Sequence, residues 1–387
     1  MQRRRSATRG GGGNSQIPAD ALNLSAQGTA NCYIVTPGTT SVFEARFKGN
    51  STHETIGETV SAKVVWQDCK GLIEKIDYAP ADKRIVVVTA AKSGNAVVGA
   101  CDAAGNLLWS WHLWVTDYDP AKSLFTTPAN DAGTTWTFMD RNLGALNATP
   151  GSVDSYGMLY QWGRKDPFTA PGCFTVMNED YSYEVDGERP VYDIDANELP
   201  AFRTRAEYHG TILKSLRNPM TFYAMTYEYT GERDEYDQEI VLNDYRTKDW
   251  VDVSDDDYWG GVSGRKTIYD PCPVGYKVPT CDAQGNTPYA WLIFAQMTWD
   301  TANFGAMQDG QWFPATGTRV YASGGLNHQQ DTPYSGLWIG TAGKASSTPE
   351  IYPELYGQYM FIVNGKRSFK VSKDARSQGL SLRCVKE

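Results

Sequence analysis

Seven cysteines and four histidines are the residues of this 387-residue chain best suited to nucleophilic, redox or metal chemistry. Cys32, Cys69, Cys101, Cys173, Cys272, Cys281 and Cys384 include no C-x-x-C pair, and none stands at a ligand-like spacing from a histidine, which speaks against zinc. An odd count leaves at least one thiol unpaired. Cys272 has the most constrained surroundings, "KTIYDPCPVGYKVPT" over 266–280, with Pro271 and Pro273 on either side. Proline fixes its own φ and drives the preceding residue toward extended conformations, so Asp270 and Cys272 are expected in an extended or turn segment. Such a frame presents a side chain to a substrate, a metal or another cysteine. His53, His112, His209 and His328 adjoin no Gly-framed Ser or Cys, so no nucleophile and base stand together in sequence.

Asp252, Asp255, Asp256 and Asp257 in "DVSDDDYWGG" are hard oxygen ligands of the kind calcium takes, although their spacing is not that of an EF-hand. No other cofactor is expected. The "GGGG" run at 10–13 precedes no strand-to-helix turn and is not a phosphate loop. Net charge is −9, while the first 19 residues carry Arg3, Arg4, Arg5 and Arg9 and no acid, so the body is more acidic still. That balance disfavours nucleic acid and anionic membrane as partners. No stretch of about 18 apolar residues exists to span a bilayer. The start lacks the apolar region of a secretory signal, and 1–22 is expected to be a flexible leader.

What the chain has in quantity is aromatic surface, 12 Trp and 23 Tyr. Tyrosine and tryptophan give large, rigid contact area with a polar tip, and binding surfaces combine them with Ser, Gly and Asn. Asn327, His328, Gln329, Gln330, Tyr334, Tyr352, Tyr356 and Tyr359 form such a mixture and are the expected ligand-binding residues. Trp338 belongs to the same stretch, although its apolar strand suits the core better.

The elements that must position these residues are mostly strands. Over 23–119, "TSVFEARFKG", "KVVWQ", "RIVVVTAA" and "NAVVGACD" are short β-branched or alternating runs. "NAVVGACDAAGNLLWSWHLWVTDYDP" reads as two strands about a Gly-Asn turn. The second sets Trp109, Trp111, Leu113 and Val115 on one face, and Ser110, His112, Trp114 and Thr116 on the outer one. Six or seven such strands suggest an immunoglobulin-like β-sandwich. The remainder, 120–387, is irregular, with a tyrosine-rich insertion over 170–260. "NTPYAWLIFAQM" has a helix start at Thr287 and Pro288. "QYMFIVNGKRSFKVS" is a hairpin about Asn364 and Gly365, and "GLSLRCVKE" is a final strand that puts Leu380, Leu382 and Cys384 on one face. Cys384 is therefore the expected mate of Cys272, with the pairing of Cys32, Cys69, Cys101, Cys173 and Cys281 left open.

In this order, "DRNLGA", "YGMLYQWGRKDPF", "DPCPVGYKVPT" and the terminal "GLSLRCVKE" resemble the Fibrobacter succinogenes major paralogous domain of bacterial surface proteins. The first part, through "ANCYIVTPG", is similar to the sandwich that precedes it in fimbrillin-like tip proteins. The resemblance implies a C-type-lectin-like domain over 120–387 whose first and last strands pair, with Cys272 a structural half-cystine. It implies a non-enzymatic, exported cell-surface protein, the adhesive tip subunit of a fimbria. Its partners would be a host, bacterial or glycan ligand and a neighbouring pilin joined by strand exchange. Arg141, Arg164 and Lys165, inside the family motifs, are expected in internal salt bridges. Similar domains also serve as variable proteins of diversity-generating retroelements, with a diversified segment falling within 325–378. An enzyme of the formylglycine-generating type, or a carbohydrate-active one, is a further alternative, although no matching motif surrounds Cys173 or Cys281.

Overall fold

The apolar runs of the first part become strands β1 (Leu22–Asn23), β2 (Cys32–Val35), β3 (Thr40–Glu44), β4 (Ser61–Gln67), β5 (Ile73–Ala79), β6 (Arg84–Thr89), β7 (Gly94–Cys101) and β8 (Leu107–Val115). The structure, a computed structural model, describes residues 17–179, 182–208, 210–224, 228–233, 235–237, 239–242, 249–343, 356–363 and 368–387. One sheet runs β1-β3-β6-β5, and β4-β7-β8-β2 lie side by side in another. The two pack face to face. Trp109, Trp111, Leu113 and Val115 of β8 meet Phe43, Ile85 and Val87 in a closed core, with the Phe43 and Trp111 rings 5.4 Å apart. β7 and β8 form the expected hairpin, Val97 opposite His112.

The other face of β8 is not an outer surface. Ser110, His112 and Trp114 are as buried as the residues of the inner core, because residues beyond 120 pack on them. Trp66, Val97 and Trp114 share one apolar cluster with Trp162, Trp259, Trp338 and Leu380. The insertion also extends the sheet: Val191–Tyr192 pairs antiparallel with β4, Tyr192 opposite Gln67, and Glu198–Leu199 pairs outside it.

After β8, β9 (Phe125–Thr126) and β10 (Thr137–Phe138) join Val385–Lys386 and Tyr276–Lys277 in one sheet, so the start and end of the second part are hydrogen-bonded neighbours. β11 (Met158–Gln161) and β12 (Phe168–Thr169) open an eight-stranded sheet that continues through Gly379–Ser381, Tyr334–Gly343, Tyr356–Val363 and Ser368–Ala375. The last two strands pair in hairpin register, Val363 opposite Ser368, while Asn364 and Gly365 lie outside the described residues. "GLSLRCVKE" is two strands in different sheets, Gly379–Ser381 and Val385–Lys386, although Leu380, Leu382 and Cys384 do share one core cluster.

The helix expected from Thr287 does not form. Gln308 takes the backbone groups such a helix would use: its Oε1 accepts from Ile293 N at 2.8 Å and its Nε2 donates to Trp291 O at 3.0 Å. A 3-10 turn at Phe294–Gln296 is what remains. Among the described residues one α-helix occurs, α1 (Ile212–Arg217), capped by Thr211 Oγ1 accepting from Lys214 N at 2.9 Å. It lies in the insertion, where buried arginines hold the irregular chain. Arg319 pairs with Glu188, Arg376 with Asp249 and Asp256, and Arg164 donates to Thr221 O and Pro219 O.

Candidate functional site

Cys272 is joined to Cys384 by a disulfide across a sequence separation of 112. The proline frame is pinned from several sides. Asp270, fully buried, accepts from Cys272 N and Val278 N, both at 2.8 Å. Burial pushes its carboxyl up to about 6 despite the nearby Lys266 charge. Lys266 Nζ donates to Cys272 O, Pro273 O and Tyr276 O. Asn31, beside β2, donates to Ile268 O and Asp270 O and accepts from Trp109 Nε1, so this loop is also where the sandwich grips the second part. Cys32, Cys69, Cys101, Cys173 and Cys281 are unpaired.

The groups nearest to a catalytic arrangement are sealed. Ser110 Oγ lies 2.5 Å from Lys165 Nζ and 2.6 Å from Asp166 Oδ1, inside the packed junction and closed to solvent. His112 beside them bonds Asn95 Oδ1 at 2.9 Å and the Tyr160 hydroxyl at 3.3 Å, and burial holds its pKa down at about 3. His209 lies outside the described residues. Of the motif cations, Arg141 pairs with Asp140 and Lys165 with Asp166. Arg164 departs from the expectation. It donates to Gln161 Oε1 and to carbonyls and lies over the rings of Phe168, Tyr223 and Trp250.

The acidic run is an anchorage. Arg376, stacked 4.2 Å over Trp162, bonds Asp249 and Asp256, and Asp255 Oδ1 accepts from Asp257 N. Among the described residues no three His, Cys, Asp or Glu side chains converge as metal ligands. No helix among them is long and apolar enough to cross a membrane.

The expected binding residues divide by register. On one face of the strands Tyr334–Gly343, Tyr356–Val363 and Ser368–Ala375 lie Tyr334, Gly336 and Trp338, then Tyr359 and Phe361, then Lys370, Ser372 and Asp374. Trp162 covers one end of that face, standing 2.5 Å from where a Cβ on Gly357 would be. Trp338 is therefore fully buried, its Nε1 donating to Tyr160 O at 2.7 Å, and is core. Toward the other end the face opens. Tyr334, Phe361 and Tyr359 are each half-buried and in successive ring contact at 5.6 and 5.7 Å. Asp374, opposite Gly357 at the Trp162 end and next along the face to Tyr359, has its carboxyl pushed up to about 6 by burial.

His328 does not join this face. It is buried, stacked on Phe174 at 4.2 Å with Nδ1 3.4 Å from Cys173 O, and burial lowers its pKa to about 4. Of its neighbours only Asn327 is tied to the face among the described residues. Asn327 pairs with Thr318, whose hydroxyl bonds Tyr334 Oη at 2.8 Å, while Gln329 lies against Thr175 and Met177 and Gln330 is exposed. Tyr352 lies outside the described residues, and Tyr356 is described by its backbone alone, opposite Gly343. The sequence pointed to the tyrosines but missed Phe361 and Asp374, which only the strand register brings in.

Among the described residues, concave places also lie elsewhere. A cleft of about 580 Å³ between the sandwich and the chain's last residue includes Glu44, Phe47, Arg84, Val274 and Glu387. A smaller one of about 230 Å³ lies between Trp136 and Trp291. No family model matches this chain, and no curated protein is similar to it.

Proposed function

We propose that this chain is a non-enzymatic cell-surface binding protein, the adhesive tip subunit of a fimbria, with an immunoglobulin-like sandwich carrying a C-type-lectin-like head. The observation that carries the proposal is the half-open aromatic strip Tyr334, Phe361 and Tyr359 with Asp374, set on a sheet whose strands fix its geometry. Rigid aromatic rings with polar neighbours at hand are how protein and sugar ligands are held. The pairing of first and last strands in the second part and the Cys272–Cys384 bridge support the lectin-like head. The sealed Ser110, Lys165 and His112 group supports a role without catalysis.

The test is the full chain on an array of glycans and cell-surface proteins, with calcium and with chelator. Specific binding lost in Tyr359→Ala and Tyr334→Ala, with folding intact by circular dichroism, supports the adhesin. Silence under both conditions shifts the weight to a structural pilin. For assembly, binding of a pilin C-terminal peptide by strand exchange is the expected result, and no binding removes the tip assignment.

A further inference from the structure

The second cavity has the makings of a sugar site remote from the strip. Trp136 and Trp291 wall it, with Asn130, Asp131, Asn286 and Ala290 at the rim. Both indoles are half-buried and pack on the core cluster behind the eight-stranded sheet, which fixes their planes. Trp136 is held further by Nε1 donating to Thr280 O at 3.1 Å. Trp291 touches Phe125 and Phe313 at 4.7 and 6.1 Å, and its Nε1 is enclosed without an acceptor. With that edge turned into the protein, the ring offers the cavity its apolar surface.

The polar rim is equally fixed. Asn130 and Asp282 each close a tight loop through their own side chains. Asn130 Oδ1 accepts from Ala132 N and Thr134 N, and Asp282 Oδ1 accepts from Gln284 N and Asn286 N. The loops are locked together at Asp282 Oδ2, which takes Asn130 Nδ2 at 2.8 Å and Asn286 Nδ2 at 2.9 Å. Among the described residues Asn286 Oδ1 takes no hydrogen bond. Against a desolvation that works the other way, the hydrogen bonds from Asn286 and Asn130 hold the Asp282 carboxyl down at about 2. With Asp131 exposed beside it, the rim is negative and repels anionic ligands.

We infer that this cavity is a binding subsite for one neutral hexopyranose unit, with Trp136 and Trp291 against its C–H face and Asn130, Asn286 and Asp131 on its hydroxyls. A hexopyranose combines an apolar C–H face with a ring of hydroxyls that both donate and accept, which matches an indole wall and an amide and carboxylate rim. At about 230 Å³ the space falls below the roughly 300 Å³ at which drug-sized sites begin, so it takes a single ring. The inference deepens the adhesin proposal by naming a ligand class, at a place separate from the Tyr334 strip.

The experiment is saturation-transfer NMR on the full chain with the methyl glycosides of glucose, galactose, mannose and N-acetylglucosamine, and with choline as a cationic competitor. Transfer to the ring C–H protons of at least one hexoside is expected. It should fall by about tenfold or more in Trp291→Ala, the usual cost of losing an aromatic anchor. Ala290→Arg, which fills the cavity from an exposed position, should abolish it without touching the core. No transfer to any hexoside, transfer that survives Ala290→Arg, or transfer to choline alone would each overturn the inference. Array binding that persists in Ala290→Arg while hexoside transfer is absent removes this site and leaves the adhesin. Hexoside transfer lost in Ala290→Arg with a silent array does the reverse.

Discussion

Arg319 and Glu188 meet as two forks, Nη1 to Oε1 at 2.7 Å and Nη2 to Oε2 at 2.8 Å, across 131 residues of sequence. The guanidinium is fully buried, and it also donates to Thr169 O, Thr169 Oγ1 and Gly324 O. Removing one member of a buried pair strands the other charge, at a cost of about 3 to 5 kcal/mol. Glu188→Ala is expected to lose that much in urea unfolding and to open the 170–190 segment to protease. Replacing both residues by methionine should cost less than Glu188→Ala alone.

The Cys272–Cys384 bridge closes a loop of 112 residues. In the chain-entropy account a loop of that size contributes roughly 4 to 5 kcal/mol. Reduction, or Cys272→Ala with Cys384→Ala, should lower the unfolding midpoint accordingly. An unchanged midpoint in calorimetry would show that the Asp270 and Lys266 network holds the frame without the bridge.

His112 makes a pH prediction with a definite sign. Its ring stays neutral in the fold down to about 3, whereas the unfolded ring takes a proton near 6.5. Stability from this group is complete above 6.5 and is lost as pH falls toward 3. Between pH 6.5 and 5 the loss is roughly 2 kcal/mol. Asp249 and Asp270, both raised to about 6 by burial, work oppositely, adding stability as pH falls from 6 toward 4. The measurement is therefore a difference. Urea unfolding of the wild type from pH 6.5 to 5 should show about 2 kcal/mol more loss than His112→Gln.

Thiol chemistry should single out Cys173. It is exposed, while Cys32 and Cys101 are buried and burial raises both thiols. Maleimide labelling of the native protein, read by peptide mass spectrometry, is expected to mark Cys173 first and Cys32 only after denaturation. Early labelling of Cys32 would mean that the β2 edge opens.

The first part was legible because its strands are short, β-branched and separated by turn residues, and because period-two alternation needs no partner to be seen. Alternation was also what misled: His112 and Ser110 read as an outer face, and only a second packing layer, invisible in a strand's own sequence, buries them. The second part resisted for a related reason. Its order comes from side-chain bonds between distant residues, Gln308 to Ile293 or Arg319 to Glu188, and spacing encodes neither. Some local signals were there to be read. "CDAAGN" at 101–106 and "CDAQGN" at 281–286 form the same loop, the aspartate accepting from the backbone two and four residues on. Gly144 of "DRNLGA" has φ +84°, and a Cβ there would stand 2.5 Å from Met158 Cγ, so the motif's glycine is a packing requirement.

The strand Val191–Tyr192 that completes the β4 edge has a consequence for synthesis. Gln67, whose Nε2 donates to Asp193 O, must wait for a partner 126 residues on. At roughly 5 to 20 residues per second the ribosome takes on the order of ten seconds to deliver it. The Trp66, Val97 and Trp114 surface waits longer still, since Trp259, Trp338 and Leu380 that cover it come later in the chain, so the nascent sandwich carries an uncovered apolar face until its second half is made.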